Sequence, residues 1–137
     1  MQRRAFLLAT LTLGTLASTG CKPKAPYTLV PIKGVVKYNG QPLPEGFTVQ
    51  FEPEDGSRAS FGKLNSDGSF EAIHTATEKG VKAGKNAVRL YWNDPPEVNP
   101  VPEEYKALMA KYGFGGSDTM TVEITKKDNK FEVNFTD

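Results

Sequence analysis

Residues 30–51 read VPIKGVVKYNGQPLPEGFTVQF, and their reading decides the fold. Val30, Ile32, Gly34, Val36 and Tyr38 fall on one side of an alternating pattern, with Lys33, Val35 and Lys37 on the other. Strict alternation of this kind predicts a strand with one buried face. Asn39-Gly40 then marks a tight turn, because both residues tolerate the left-handed backbone such a turn needs. Phe47, Val49 and Phe51 alternate with Thr48 and Gln50 in a second strand. Two strands joined by a turn, each with one apolar face, need a further layer to cover them.

The pattern continues outward. Residues 59–64 and 70–73 read as two more short strands, separated by the turn sequence NSDGS at 65–69. EKGVKAGKN at 78–86 reads as a loop. Val88, Leu90 and Trp92 share a core face opposite Arg89 and Tyr91. NDPPEVNPVP cannot join a ladder, since its prolines carry no N–H donor. Met120, Val122 and Ile124 form another strand, KKDNK at 126–130 reads as a hairpin turn, and Phe131, Val133 and Phe135 form the last strand. One stretch breaks the period. In PEEYKALMAKY (102–112), Tyr105, Leu108, Met109 and Tyr112 recur at helical spacing, so a short helix is predicted there. The expectation is an all-β, antiparallel two-sheet sandwich of about seven strands, with one short helix before the last two strands. With 137 residues, 13 glycines and 10 prolines, the composition suits one turn-rich domain.

The first twenty residues have a different character. Arg3 and Arg4 precede an uncharged apolar stretch, Ala5 to Ala17. It is shorter than the roughly 20 residues a permanent membrane span requires, and its flanks are those of an export signal. Small residues lead to Cys21, the single cysteine of the chain. The segment resembles a bacterial lipobox, with Gly20 in the small position before the cysteine and Ser18 where that pattern usually has Leu. The resemblance implies that Cys21 becomes the acylated N-terminus of the mature chain, a thiol being the nucleophile that accepts the diacylglycerol. RRAFL also resembles a twin-arginine export motif. The domain organisation expected is a signal peptide at 1–20, a lipidated cysteine and tether at 21–29, and a β-sandwich domain at 30–137. Within it KPKAPYT (22–28) reads as a proline-stiffened spacer that holds the domain off the lipid.

GVVKYNGQPLPEGFTVQFEPEDG, GKLNSDGSFEA, KAGKNAVRLYW and VPEEY are similar to segments of small lipoproteins of planctomycete-type bacteria. That resemblance implies a transthyretin-like or carboxypeptidase-regulatory-like β-sandwich. KALMAKYGFGGSD, between the Pro-x-x-Tyr element and the next strand, departs from the family pattern.

Chemistry is sparse. The chain has one His, so a zinc cluster of the usual kind cannot be assembled and no catalytic relation can be read around His74, which is expected at a surface strand end. NSDGS supplies oxygen ligands of the kind found in calcium loops, but a plain β-turn explains it equally well. No cofactor or metal is expected. A formal charge of +1, which becomes −1 when residues 1–20 leave with their two arginines, gives no reason to expect a nucleic-acid partner. The aromatic residues are the better lead. Tyr91, Tyr112 and Phe114 are the predicted binding residues, since Tyr and Phe combine large apolar area with adaptable contacts. The function expected is a non-enzymatic, lipid-anchored envelope protein, held to the membrane through Cys21 and interacting with protein or glycan there. A purely structural envelope lipoprotein and a carbohydrate-active enzyme are the alternatives.

Overall fold

The computed structural model describes residues 20, 24–126 and 130–137. Its elements are β1 (Leu29–Val30), β2 (Lys33–Tyr38), β3 (Gln41–Pro42), β4 (Phe47–Pro53), β5 (Ser60–Lys63), β6 (Ser69–Glu71), β7 (Val81–Lys82), β8 (Gly84–Trp92), a 3-10 turn (Glu103–Tyr105), α1 (Lys106–Tyr112), β9 (Met120–Ile124) and β10 (Lys130–Phe135).

Two four-stranded sheets face each other. One runs β5-β4-β8-β9, antiparallel throughout. The other has β2 at its centre, with β10 on one side and β3 and β6 on the other. β1 pairs with β7 as a small ribbon, and the loop expected at 78–86 instead supplies β7 and the first residues of β8. The Asn39-Gly40 turn forms as expected, with φ of 49° and 81°.

The inner faces follow the alternation. Phe47, Val49, Phe51, Val88 and Leu90 from one sheet are fully buried, as are Val36 and Phe135 from the other. Phe51 bridges the layers, its ring 5.8 Å from Phe70 and 6.1 Å from Phe131. At one end of the core Phe47 meets Trp92 and Tyr105 edge to face, at 4.9 and 5.3 Å. Such ring pairs add to the area each aromatic buries. Trp92 therefore takes its predicted inward place, though it is only half-buried.

The helix forms where its period predicts. Leu108 and Tyr112 are buried, and Tyr105 and Met109 pack against the core. Pro102 precedes the first turn, and Glu103 and Glu104 lie within it. Lys111 sits in the last turn and donates to the Thr136 carbonyl at 3.2 Å.

Two expectations are corrected. The sandwich is not wholly antiparallel, because β10 runs parallel to β2 over six register pairs, from Lys130↔Lys33 to Phe135↔Tyr38. Residues 126–130 are also not a hairpin turn in the pairing sense, since β9 and β10 belong to different sheets. The connection carries the chain across the sandwich, so β10 arrives beside β2 pointing the same way. The tip of that connection, 127–129, lies outside the described residues.

The tether, too, behaves differently from a spacer. Ala25 donates its N–H to both Glu78 carboxylate oxygens, at 3.0 and 3.2 Å. Thr28 accepts from the Ala83 N–H at 3.3 Å. From Ala25 onward the segment is fastened to the domain. Among the described residues, no helix is long and apolar enough to cross a membrane.

Candidate functional site

The outer face of the β5-β4-β8-β9 sheet carries the strongest feature. Because β4 and β8 send Phe47, Val49, Phe51, Val88 and Leu90 inward, Thr48, Gln50, Glu52, Arg89 and Tyr91 must point outward. Register then lines them up across the sheet. Ile73 bridges to Phe61, Phe61 stands opposite Gln50, and Gln50 opposite Arg89. In the next row Lys63 stands opposite Thr48, and Thr48 opposite Tyr91.

Phe61, Tyr91 and Phe114 form a continuous aromatic strip on this face. Tyr91 lies 6.4 Å from Phe61, ring edge to ring face, and 6.0 Å from Phe114, with the rings stacked at 30°. Phe61 is 43% exposed, Ile73 48% and Phe114 81%. The strip is bordered by the Arg89–Glu52 pair at 3.5 Å. Partial burial raises the Tyr91 hydroxyl above its ordinary pKa, Glu52 adds to the rise, and Arg89 opposes it. Gln50 lies in the row between Phe61 and Arg89. It is only 9% exposed, and its Oε1 is buried without a hydrogen-bond partner.

Phe114 arrives by a local device. Gly113 makes a parallel bridge to Leu90. β9 pairs with β8 only from Gly84 to Val88, so the rest of that edge is open to residues 113–114. Tyr112 faces one way and Phe114 the other.

The structure therefore separates the three predicted residues. Tyr91 and Phe114 are brought together, but Tyr112 is not at the surface. It is 7% exposed, with its ring 4.8 Å from Phe135 and its hydroxyl donating to the Thr136 carbonyl at 3.4 Å. Its helical spacing with Leu108 already placed it on the helix's core side. Phe61 and Ile73 were missed, because the bridge that joins them spans two elements that look unremarkable in sequence. Cys21 lies outside the described residues.

His74 is likewise corrected. It is 4% exposed, not a surface residue. Its Nδ1 lies 2.9 Å from Ser60 Oγ, and its Nε2 lies 3.0 Å from Tyr27 Oη. A neutral imidazole has one donor and one acceptor nitrogen, which suits two hydroxyls that can each do either. Burial lowers its pKa first of all, with Glu78 opposing and Arg58 adding to the decrease. Tyr27 also packs edge-on to the imidazole at 5.6 Å, beneath the Lys82 ammonium at 4.6 Å. Ser60 is 1% exposed, so the hydroxyl and imidazole of this row are closed off, while Tyr27 at its outer end is half-buried. The partner that buries His74 lies 47 residues away in sequence, and no local signal announces it.

A polar concavity of about 320 Å³ lies beside Trp92. Trp92 Nε1 donates to the Asn99 carbonyl at 2.6 Å, Asn99 to Asp94 at 2.8 Å, and Thr48 to Asn93 at 2.6 Å. Its amides are engaged in holding the 93–99 loop. The 65–69 turn is similarly self-contained. Asp67 accepts from the Ser69 N–H at 3.0 Å and Asn65 donates to the Ser69 carbonyl at 3.1 Å, so its oxygens serve the turn. Among the described residues, no three His, Cys, Asp or Glu side chains gather as a metal site would require.

No protein-family model matches the chain, and no curated protein matches it. Among solved structures, a DUF3823 family protein from Parabacteroides merdae aligns with a TM-score of 0.44 at 17% identity. The alignment covers 80% of this chain and 46% of that one, so the chain spans less than half the length of its structural neighbour.

Proposed function

We propose that this protein is a non-enzymatic interaction module of the bacterial cell envelope. Cys21 carries the acyl chains that hold it to a membrane, and the Phe61–Tyr91–Phe114 strip receives a partner protein. The transthyretin-like family resemblance belongs to the same reading. The observation that carries it is Phe114. A phenyl ring left 81% exposed forgoes about 2 kcal/mol of burial, yet it is stacked on Tyr91, next to Gly113, which bridges to Leu90. Ile73 and Phe61 extend the apolar centre, and the Arg89–Glu52 pair gives it a charged rim, the composition of a protein interface. The burial of Ser60 and His74 supports the non-enzymatic part of the reading.

The test is a pull-down from envelope extract with the wild-type domain and a Tyr91→Ala, Phe114→Ala variant, followed by titration of the purified enriched species. A protein that binds the wild type and loses at least tenfold affinity for the variant supports the proposal. A glycan with the same behaviour moves the ligand class. Equal capture by both forms removes the strip from the function, and no specific capture favours a structural envelope role. Acylation is tested separately, by the mass of the mature chain extracted from the membrane fraction.

A further inference from the structure

We propose that the end of the sandwich from which the tether leaves is a lipid-facing surface that docks on an anionic bilayer. The register sets which residues share that end. Lys33 opens β2 beside Lys130, the first residue of β10. Lys85, at the start of β8, lies opposite Glu123 near the end of β9, and Lys126 follows β9. Arg58 precedes β5, and Lys24 precedes the Ala25 clamp. Among the described residues, these six cations form no ion pair within 4 Å.

Two acids of the same end are paired with other lysines, Asp55 with Lys82 and Glu71 with Lys79 at 3.0 Å. Glu78 holds the Ala25 N–H and keeps its charge. That leaves Glu54, Glu78 and Glu123 against the six cations. The opposite end carries Glu45, Asp94, Glu97, Glu104 and Asp118 against Lys63, Lys106 and Lys111, and Lys106 is already paired with Glu103. The chain without residues 1–20 has a formal charge of −1, so its total charge would not draw it to an anionic surface. The sorting of charge to the two ends does so, and it fixes which end faces the lipid.

The tether gives the same orientation independently. Glu78 holds the Ala25 N–H, four residues after Cys21. At about 3.6 Å per extended residue the free span is at most about 14 Å. That keeps the basic end within about two Debye lengths of the headgroups at physiological salt. The distance argument rests on the acylation of Cys21 proposed above; the charge argument does not. Acyl chains and a basic patch are the two signals that together make anchoring stable.

The test uses residues 24–137, which contain the whole core from Val30 to Phe135 and lack Cys21. This domain is sedimented with vesicles of phosphatidylcholine, and with vesicles in which about a third is phosphatidylglycerol. Binding is expected to the anionic vesicles only, at low ionic strength, and to fall as salt is added. Lys33→Gln, Lys85→Gln and Lys130→Gln should each lower the partition coefficient about fivefold. Lys63→Gln and Lys106→Gln, at the other end, should leave it unchanged. No binding to anionic vesicles at low salt overturns the proposal, as does equal binding to neutral vesicles. An equal loss from Lys63→Gln also overturns it, because adsorption would then follow total charge. Acylation is read on the full chain by mass, so failure of the anchor and failure of this surface are told apart.

Discussion

Gly34→Ala is predicted to be among the most damaging single-methyl changes in the domain. Gly34 lies inside β2, where glycine is ordinarily a liability. Its reason is the parallel neighbour. A Cβ built on Gly34 would press into the Phe131 carbonyl oxygen and lie 2.8 Å from the carbonyl carbon, with Phe70 Cε1 at 3.1 Å. The obstacle is backbone, so no rotamer change relieves it, and β10 must move. A shift there disturbs the pairing around Phe131↔Gly34 and loosens Val133, which is 2% exposed. Losing about two ladder hydrogen bonds costs roughly 2 kcal/mol. Partly exposing Val133 and Phe131 costs roughly 1–3 kcal/mol more. The sum is about 3–5 kcal/mol, a large share of the stability of a domain this size. Denaturant unfolding should show the midpoint fall with little change in slope, and the melting temperature should drop by about 15 °C or more.

Gly62→Ala is the control. There the Cβ would meet the Phe70 ring, at 2.5 Å from Cδ2, and a side chain can adjust. A cost of about 1–3 kcal/mol is expected. The two glycines should also differ in coupling. Phe70→Leu should change the cost of Gly62→Ala, whereas Phe131→Ala should leave the cost of Gly34→Ala nearly intact, because its obstacle is the carbonyl. A Gly34→Ala variant within 1 kcal/mol of wild type would refute the reasoning.

Three further outcomes are expected. Burial lowers the His74 pKa in the folded state below the 6.5 at which the unfolded chain takes up its proton. The unfolded state therefore binds more protons below that pH, so stability present above 6.5 declines as pH falls through the window beneath it. Replacing His74 with Gln should flatten this part of the stability–pH curve measured by urea unfolding. Tyr112→Ala should cost about 3–5 kcal/mol in the same assay, while Phe114→Ala should stay within about 0.5 kcal/mol, since one ring is in the core and the other in water. Tyr27→Ala removes the contact with His74 and the Lys82 ammonium. Trypsin should then cut after Lys24 several-fold faster, and an unchanged rate would mean the tether is not fastened there.

The parts of the fold that were legible in sequence are those with local causes. Alternation in 30–38, 47–51 and 88–92 reports burial on one face, and the Asn39-Gly40 turn reports its own backbone. The helical spacing of Tyr105, Leu108 and Tyr112 reports a single packed stripe. The parts that were not legible depend on distant partners. Nothing near Lys130 says that its strand will run parallel to β2, because the alternation of Phe131, Val133 and Phe135 is the same for either direction. Nothing near His74 announces Tyr27. Gly34 did carry a signal: a glycine inside an otherwise regular strand marks the close approach of another backbone, and here that backbone belongs to β10.

The candidate site shows why even a correct lead was incomplete. Aromatic residues near one end of a sandwich can serve the core or the surface, and only the path of the chain decides between them. In the stretch KALMAKYGFGGSD both uses occur within three residues. The helix delivers Tyr112 onto Phe135, Gly113 bridges to Leu90, and Phe114 emerges on the far side against Tyr91. The room for this comes from β9, which covers β8 only as far as Val88. Gly113 itself has no space for a side chain, because a Cβ would press on the Met109 carbonyl oxygen and lie 3.2 Å from its carbon. This segment is thus fastened to the core at Tyr112 and joins the exposed strip at Phe114. The Gly113 bridge and the stacking on Tyr91 together set the position of this exposed ring.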